Sequence, residues 1–106
     1  MVNQGSGSGQ HRSVEENARY PIRVVARRTG LSSHVIRVWE RRYAAVTPER
    51  SENGYRHYSE ADIDRLRGLR ELTEAGYGIG DVASLDASAL AELLDQKRAV
   101  DRKSVV

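Results

Sequence analysis

The apolar positions of this chain fall into short helical repeats separated by polar turns. Ile22, Val25, Ala26 and Thr29 recur at i, i+3, i+4 and i+7, one face of a helix. Gly30 predicts its end, since glycine takes the left-handed C′ conformation without a Cβ clash. The opposite face carries Arg23, Arg27 and Arg28. Ser32 and Ser33 are both good N-caps, and predict a second helix running to about Tyr43. Val35, Ile36, Trp39 and Tyr43 form its inner face. His34, Arg37, Val38 and Arg41 form its outer stripe. Two short helices joined by Gly30-Leu31-Ser32 read as a helix-turn-helix.

Pro48 closes any helix before it. Asn53-Gly54 then predicts a hairpin with a type I′ turn, which needs positive φ twice. Arg50-Ser51 and Tyr55–Tyr58 are the predicted strands. A two-stranded hairpin is marginal alone, so it must lean on the helices as a wing. Ser59-Glu60-Ala61-Asp62 resembles a capping box with Asp in place of Glu. It predicts a helix from Glu60 to about Ala75 with Ile63, Leu66, Leu69, Leu72 and Ala75 inside. Gly76 closes that helix, and Tyr77 is expected to pack back onto its end. A short turn or helix follows at Ile79–Leu85. Asp86 then caps a last helix from Ala87 to about Arg102, in which Leu90, Leu93 and Leu94 are apolar and only Val100 continues the stripe.

The predicted fold is mainly α, a winged helix-turn-helix with a two-stranded β-hairpin wing and following helices. The expected organisation is a flexible Gly/Ser-rich arm (1–18), the winged helix-turn-helix (19–85), and a C-terminal helix that begins a dimerisation or linker region (86–106).

With 106 residues there is room for one small domain. The chain has no Cys, which excludes disulfides, Cys-ligated metal centres and a thiol nucleophile. No His pair has helical i, i+4 spacing, so metal binding is not expected. There is no Gly-rich phosphate loop and no Ser/His/Asp arrangement, so no enzyme is expected either. No apolar run reaches membrane-spanning length and the N-terminus is polar, which points to the cytoplasm.

The net charge of +2 hides a partition. Residues 19–58 hold nine Arg and three Glu, net +6, whereas residues 71–96 hold six acids and no base. Residues 97–106 return to net +3. A basic block of that density suits a polyanion, and Arg gives planar, bidentate contacts to phosphate and guanine. The plainer alternative is a solvated face with locally paired charges. The acidic block either turns away from phosphates or is an ordinary helix surface.

These residues carry a resemblance. The stretch from Tyr20 to Leu85 resembles the MerR-type winged-helix DNA-binding domain of bacterial transcription regulators. The matching pieces are Ile22 through Ser32, Ile36-Arg37-Val38-Trp39-Glu40-Arg41-Arg42-Tyr43, Pro48, Arg50, Asn53 through Ser59, Asp62-Ile63 to Leu66, and Gly76-Tyr77. The Trp39–Tyr43 end is most similar to one branch, whose members often attach a cobalamin-type sensory domain and include light-responsive repressors. The resemblance implies double-stranded DNA as partner, self-association of the full-length protein and no cofactor in this chain. A cobalamin-type sensor would then follow in the parent protein. Three departures stand out. Arg23 replaces a small N-cap, Ala44-Ala45-Val46 replaces a Gly-hydrophobic step, and no effector domain precedes the end at Val106. Either an excised domain or a minimal regulator is therefore expected, and the Gly/Ser arm and the short leucine stripe favour the excised domain.

Ser33, His34, Arg37, Val38 and Arg41 are the base-reading candidates, from the N-terminal and outer stripe of the second helix. Ser33 reads equally well as a cap. His34 donates to a base or phosphate, or is exposed and uninvolved. Val38 meets a thymine methyl or is simply exposed. Arg37 is the leading candidate for direct readout. Arg28, Arg42, Arg50, Tyr55, Arg56 and Tyr58 read as backbone clamps, with Asn53, Gly54 and His57 on the same wing. Arg56 would enter or edge the minor groove. Trp39 reads first as core, and second as an indole donor to phosphate. Glu40, acidic within a basic block, reads as a carboxylate that orients a neighbouring Arg. The alternative function is an excisionase-like architectural or assembly module acting mainly through oligomerisation.

Overall fold

The structure is a computed structural model, and it describes residues 18–104. The expected arm lies outside the described residues except for Ala18. In chain order the elements are α1 (Ile22–Thr29), α2 (Ser33–Tyr43), β1 (Glu49–Arg50), β2 (Arg56–His57), α3 (Glu60–Glu74), α4 (Ile79–Val82) and α5 (Ala87–Ser104). This is the expected winged helix-turn-helix with helices behind it.

Pro21 stands at the N-cap of α1 and makes no side-chain cap hydrogen bond. At the other end, Gly30 takes φ 80° and its N–H reaches the Ala26 carbonyl at 2.9 Å. Thr29 is buried on the same face as Val25, because its hydroxyl donates back to the Val25 carbonyl at 2.8 Å and accepts from Leu31 N at 3.2 Å. Ser32 is the cap of α2, accepting from Val35 N at 3.1 Å. That settles the two serines: Ser33 is the first helical residue.

The wing is paired antiparallel, with Glu49 opposite His57 and Arg50 opposite Arg56. Its turn differs from the prediction. Gly54 alone takes positive φ there, and Asn53 does not. Gly54 N donates to the Ser51 carbonyl and Ser51 N to the Tyr55 carbonyl, both at 2.9 Å. The loop is therefore Glu52-Asn53-Gly54, a turn with negative φ at its centre followed by a left-handed glycine that forms a bulge. Ser at the first turn position and Gly at the fourth favour this geometry. The predicted type I′ turn would have shifted the register by one residue and turned the returning strand's side chains over relative to β1.

Both halves of the capping box form: Asp62 N donates to Ser59 Oγ at 3.1 Å and Ser59 N to Asp62 Oδ2 at 3.0 Å. At the far end of α3, Tyr77 N reaches the Leu72 carbonyl and Gly76 N the Thr73 carbonyl, the paired bonds of a Schellman cap. The Tyr77 backbone thus folds back as expected, but the residue is 40% exposed. Ala75 is exposed rather than inside. Asp86 caps α5 through Ala89 N at 2.8 Å.

Two apolar clusters hold these elements, and α3 runs through both. Ile63 and Leu66 join Val25, Ile36, Val46 and Tyr58 under the helix-turn-helix. Leu69 and Leu72 join Ala45, Val82, Ala83, Leu90 and Leu94 behind it. Trp39 packs against both clusters. Gly68, buried between Leu66 and Leu69, lets α5 approach α3 closely. A Cβ there would meet Leu94 Cδ1 at 2.9 Å.

Candidate nucleic-acid interface

The outer stripe of α2 is available. His34 and Arg41 are exposed, and Arg37 and Val38 are half-buried. Arg42 is exposed and lies over its neighbour's ring, 5.9 Å from the Tyr43 centroid. Beside this stripe an open cleft runs between the start of α1, α2 and the wing, lined by Arg23, Arg37, Tyr55, Arg56 and His57. Tyr55 is 67% exposed on the wing. Arg50 is exposed on β1, and its guanidinium donates to the Gly54 carbonyl at 3.4 Å. Asn53 and Gly54 form the exposed tip.

The nine arginines of the basic block divide into two sets. Arg19 pairs with Glu49 at 3.2 Å, Arg28 with Glu60 at 2.8 Å, and Arg56 with Glu40 at 3.0 Å. By contrast, Arg23, Arg27, Arg37, Arg41, Arg42 and Arg50 have no carboxylate partner among the described residues. These guanidinium groups carry no compensating carboxylate and suit an anion, and Arg23 and Arg37 come together in the cleft beside the wing.

Two sequence expectations change here. Tyr58 is fully buried, so it is a core residue and not a surface clamp. Its hydroxyl donates to Glu40 Oε1 at 2.9 Å. Burial first, then the Glu40 carboxylate, push the phenol far above its usual range, so it stays a donor. Arg28 is held by both oxygens of Glu60, at 2.8 and 3.1 Å, and lies 5.4 Å from the Tyr20 ring centroid. Tyr20 Oη donates to the same carboxylate at 2.7 Å. The Arg28 guanidinium, then the Tyr20 hydroxyl, hold the Glu60 carboxyl at about 2. Of the three α1 arginines, the one chosen as a clamp is already engaged, while Arg23 and Arg27 stand open. Their i, i+4 spacing was the sign that they share a stripe. Trp39 is half-buried between the clusters, its first reading. Glu40 orients Arg56, as its position suggested.

The arginines of α3 do a different task, which the sequence pattern did not reveal. Arg67 Nε donates to the Arg28 carbonyl at 3.1 Å and Arg70 Nη1 to the Thr29 carbonyl at 3.0 Å. These are last-turn carbonyls of α1 that lack intrahelical donors. Arg65 donates to the carbonyls of Ala45 and Ala83, joining the end of α2 to the end of α4. On the far side, Glu71 accepts from Lys97 at 3.3 Å and from Arg98 at 2.8 Å, so the acidic and C-terminal basic blocks meet across α3 and α5. Among the described residues no group of His or acids could hold a metal ion.

A helix-turn-helix with an exposed cationic second helix and a hairpin at its flank defines a winged helix-turn-helix module. Residues 20–89 match the family model for the MerR HTH family regulatory protein, and the chain belongs to that family. It is 41% identical over 66 residues to the HTH-type transcriptional repressor CarH of Myxococcus xanthus, which covers 62% of this chain and 22% of that protein. It is 38% identical over 61 residues to the HTH-type transcriptional regulator CueR of Salmonella typhi, 58% of this chain and 44% of that protein. The chain thus spans less than half the length of these two relatives. Among solved structures, it resembles HiNmlR, a MerR family regulator lacking the sensor domain, bound to promoter DNA. The TM-score is 0.62 at 18% identity, covering 83% of this chain and 74% of that one. A MerR family transcriptional regulator from Bacillus cereus gives TM-score 0.58 at 15% identity, covering 82% and 69%. At such identities the likeness is one of fold. No helix among the described residues is long and apolar enough to cross a membrane.

Proposed function

We propose that this chain is the DNA-reading domain of a bacterial transcription regulator. It binds double-stranded DNA with α2 in the major groove and the wing along the flanking backbone. The observation that carries this reading is the set of unpaired arginines on α1 and α2, of which Arg23 and Arg37 line the cleft where helix and wing stand side by side. Arg37 and Arg41 reach base edges, and Arg23, Arg27, Arg42 and Arg50 meet phosphates. The membership in a family of regulatory proteins supports the same reading. The parent regulator acts as a dimer or higher assembly on repeated half-sites in the cytoplasm, without enzymatic activity. A cobalamin-type sensory domain is the proposed source of its signal, on the resemblance of the Trp39–Tyr43 stretch.

Titration of a duplex selected from a random pool, across a salt series, tests the reading. With about six phosphates neutralised per protomer, log K falls against log salt with a slope near −5. A salt-independent affinity would sink it. Arg37→Ala is expected to cost about 1–3 kcal/mol and to relax preference at one base pair. Equal weakening on all duplexes would make Arg37 a phosphate clamp instead.

A further inference from the structure

Glu40 is the one acid on α2, set among Arg37, Arg41 and Arg42. A carboxylate on a face that meets phosphates is repelled by them, so its presence there calls for a reason. Both of its oxygens are occupied. Oε2 accepts from Arg56 Nε at 3.0 Å and Oε1 from Tyr58 Oη at 2.9 Å, and the side chain is only 11% exposed. Both donors come from the returning arm of the wing. Each wing strand is two residues long, too short to hold its place alone. Its base is fixed by the Tyr20–Tyr58 bridge, with N–O distances of 2.8 and 2.9 Å. Among the described residues, the side-chain hydrogen bonds from wing to α2 are the two that end on Glu40.

We propose that Glu40 is a positioning residue for DNA recognition, tethering the wing to the reading helix and withholding Arg56 from the phosphates. The inference rests on the DNA-binding reading above. With the wing fixed to α2, helix and wing meet the duplex at one set spacing, so duplexes of the wrong groove shape are rejected. An Arg compensated by a carboxylate adds no net counterion release, so Arg56 favours orientation over bulk affinity.

Glu40→Gln tests both halves, since it keeps the size and an acceptor for Tyr58. On an unrelated duplex its affinity is expected to rise, with a salt slope steeper by about 0.9, the contribution of one freed cation. Its preference for the duplex selected by the wild-type chain is expected to fall roughly tenfold, the scale of one charge-assisted hydrogen bond. Arg56→Gln leaves the slope unchanged in the wild-type chain and removes the added slope in the Glu40→Gln chain. Hydrogen exchange reads the tether without DNA: the His57 and Tyr58 amides exchange faster in Glu40→Gln, while those of α3 do not change. Equal loss on both duplexes with an unchanged slope would overturn the proposal, as would wing amides as protected as before. A wild-type chain that binds no duplex refutes the DNA-binding reading, and the exchange experiment then still decides the tether.

Discussion

Ala44 ends α2 at φ 50° and ψ 39°, the one non-glycine residue with positive φ among those described. A Cβ in that region crowds the neighbouring carbonyl. Ala44→Gly is therefore expected to stabilise the domain by about 0.5–1 kcal/mol, even after glycine's larger unfolded-state entropy is counted. Thermal melting checks it, and an unchanged or lower Tm would show that α2 ends by another constraint. This position was legible in the sequence as a departure, because caps are read from one or two residues. Tyr58 was not. It lies just past β2, bridged to Tyr20, and its burial among Val25, Ile36 and Ile63 depends on elements distant in the chain. Arg28 was equally opaque, since its partner Glu60 lies 32 residues further along the chain.

At the level of elements, the helices were legible because each carries its own start and stop. The Ser59–Asp62 box, the Gly30 turn and the Asp86 cap are all local hydrogen bonds. What joins one element to another is long-range and chemically mixed. Arg65 is the clearest case, a half-buried guanidinium that stitches the end of α2 to the end of α4 through two carbonyls. Arg65→Met keeps much of the stem but leaves both carbonyls without their donor. It is expected to destabilise the fold by about 1–3 kcal/mol, measured as a lower urea midpoint. A midpoint equal to the wild type would mean that water replaces the guanidinium at no cost. The candidate interface was legible as a stripe on α2 and as a charge block. Its division into free and engaged arginines was not, because each carboxylate partner comes from a different element.

For the whole molecule, the charge blocks set a pH dependence. Glu60 is depressed to about 2 by Arg28, and Glu71 and Glu49 are lowered by Arg98 and Arg19 respectively. A depressed carboxylate stabilises the fold above its unfolded value near 4.5, and that contribution is lost as pH falls through the folded value. Stability is therefore expected to fall between about pH 5 and pH 2, and the gap between wild type and Glu60→Gln to close over the same range. Urea titrations at several pH values follow it, and a gap constant with pH would remove Glu60 from the account. The two clusters meet at Trp39, the only tryptophan in the chain. The molecule thus carries a built-in optical reporter at the junction of its reading helix with both cores. Its emission follows unfolding of either half, and a shift on adding duplex would register strain passed from the groove into the interior, with no label attached.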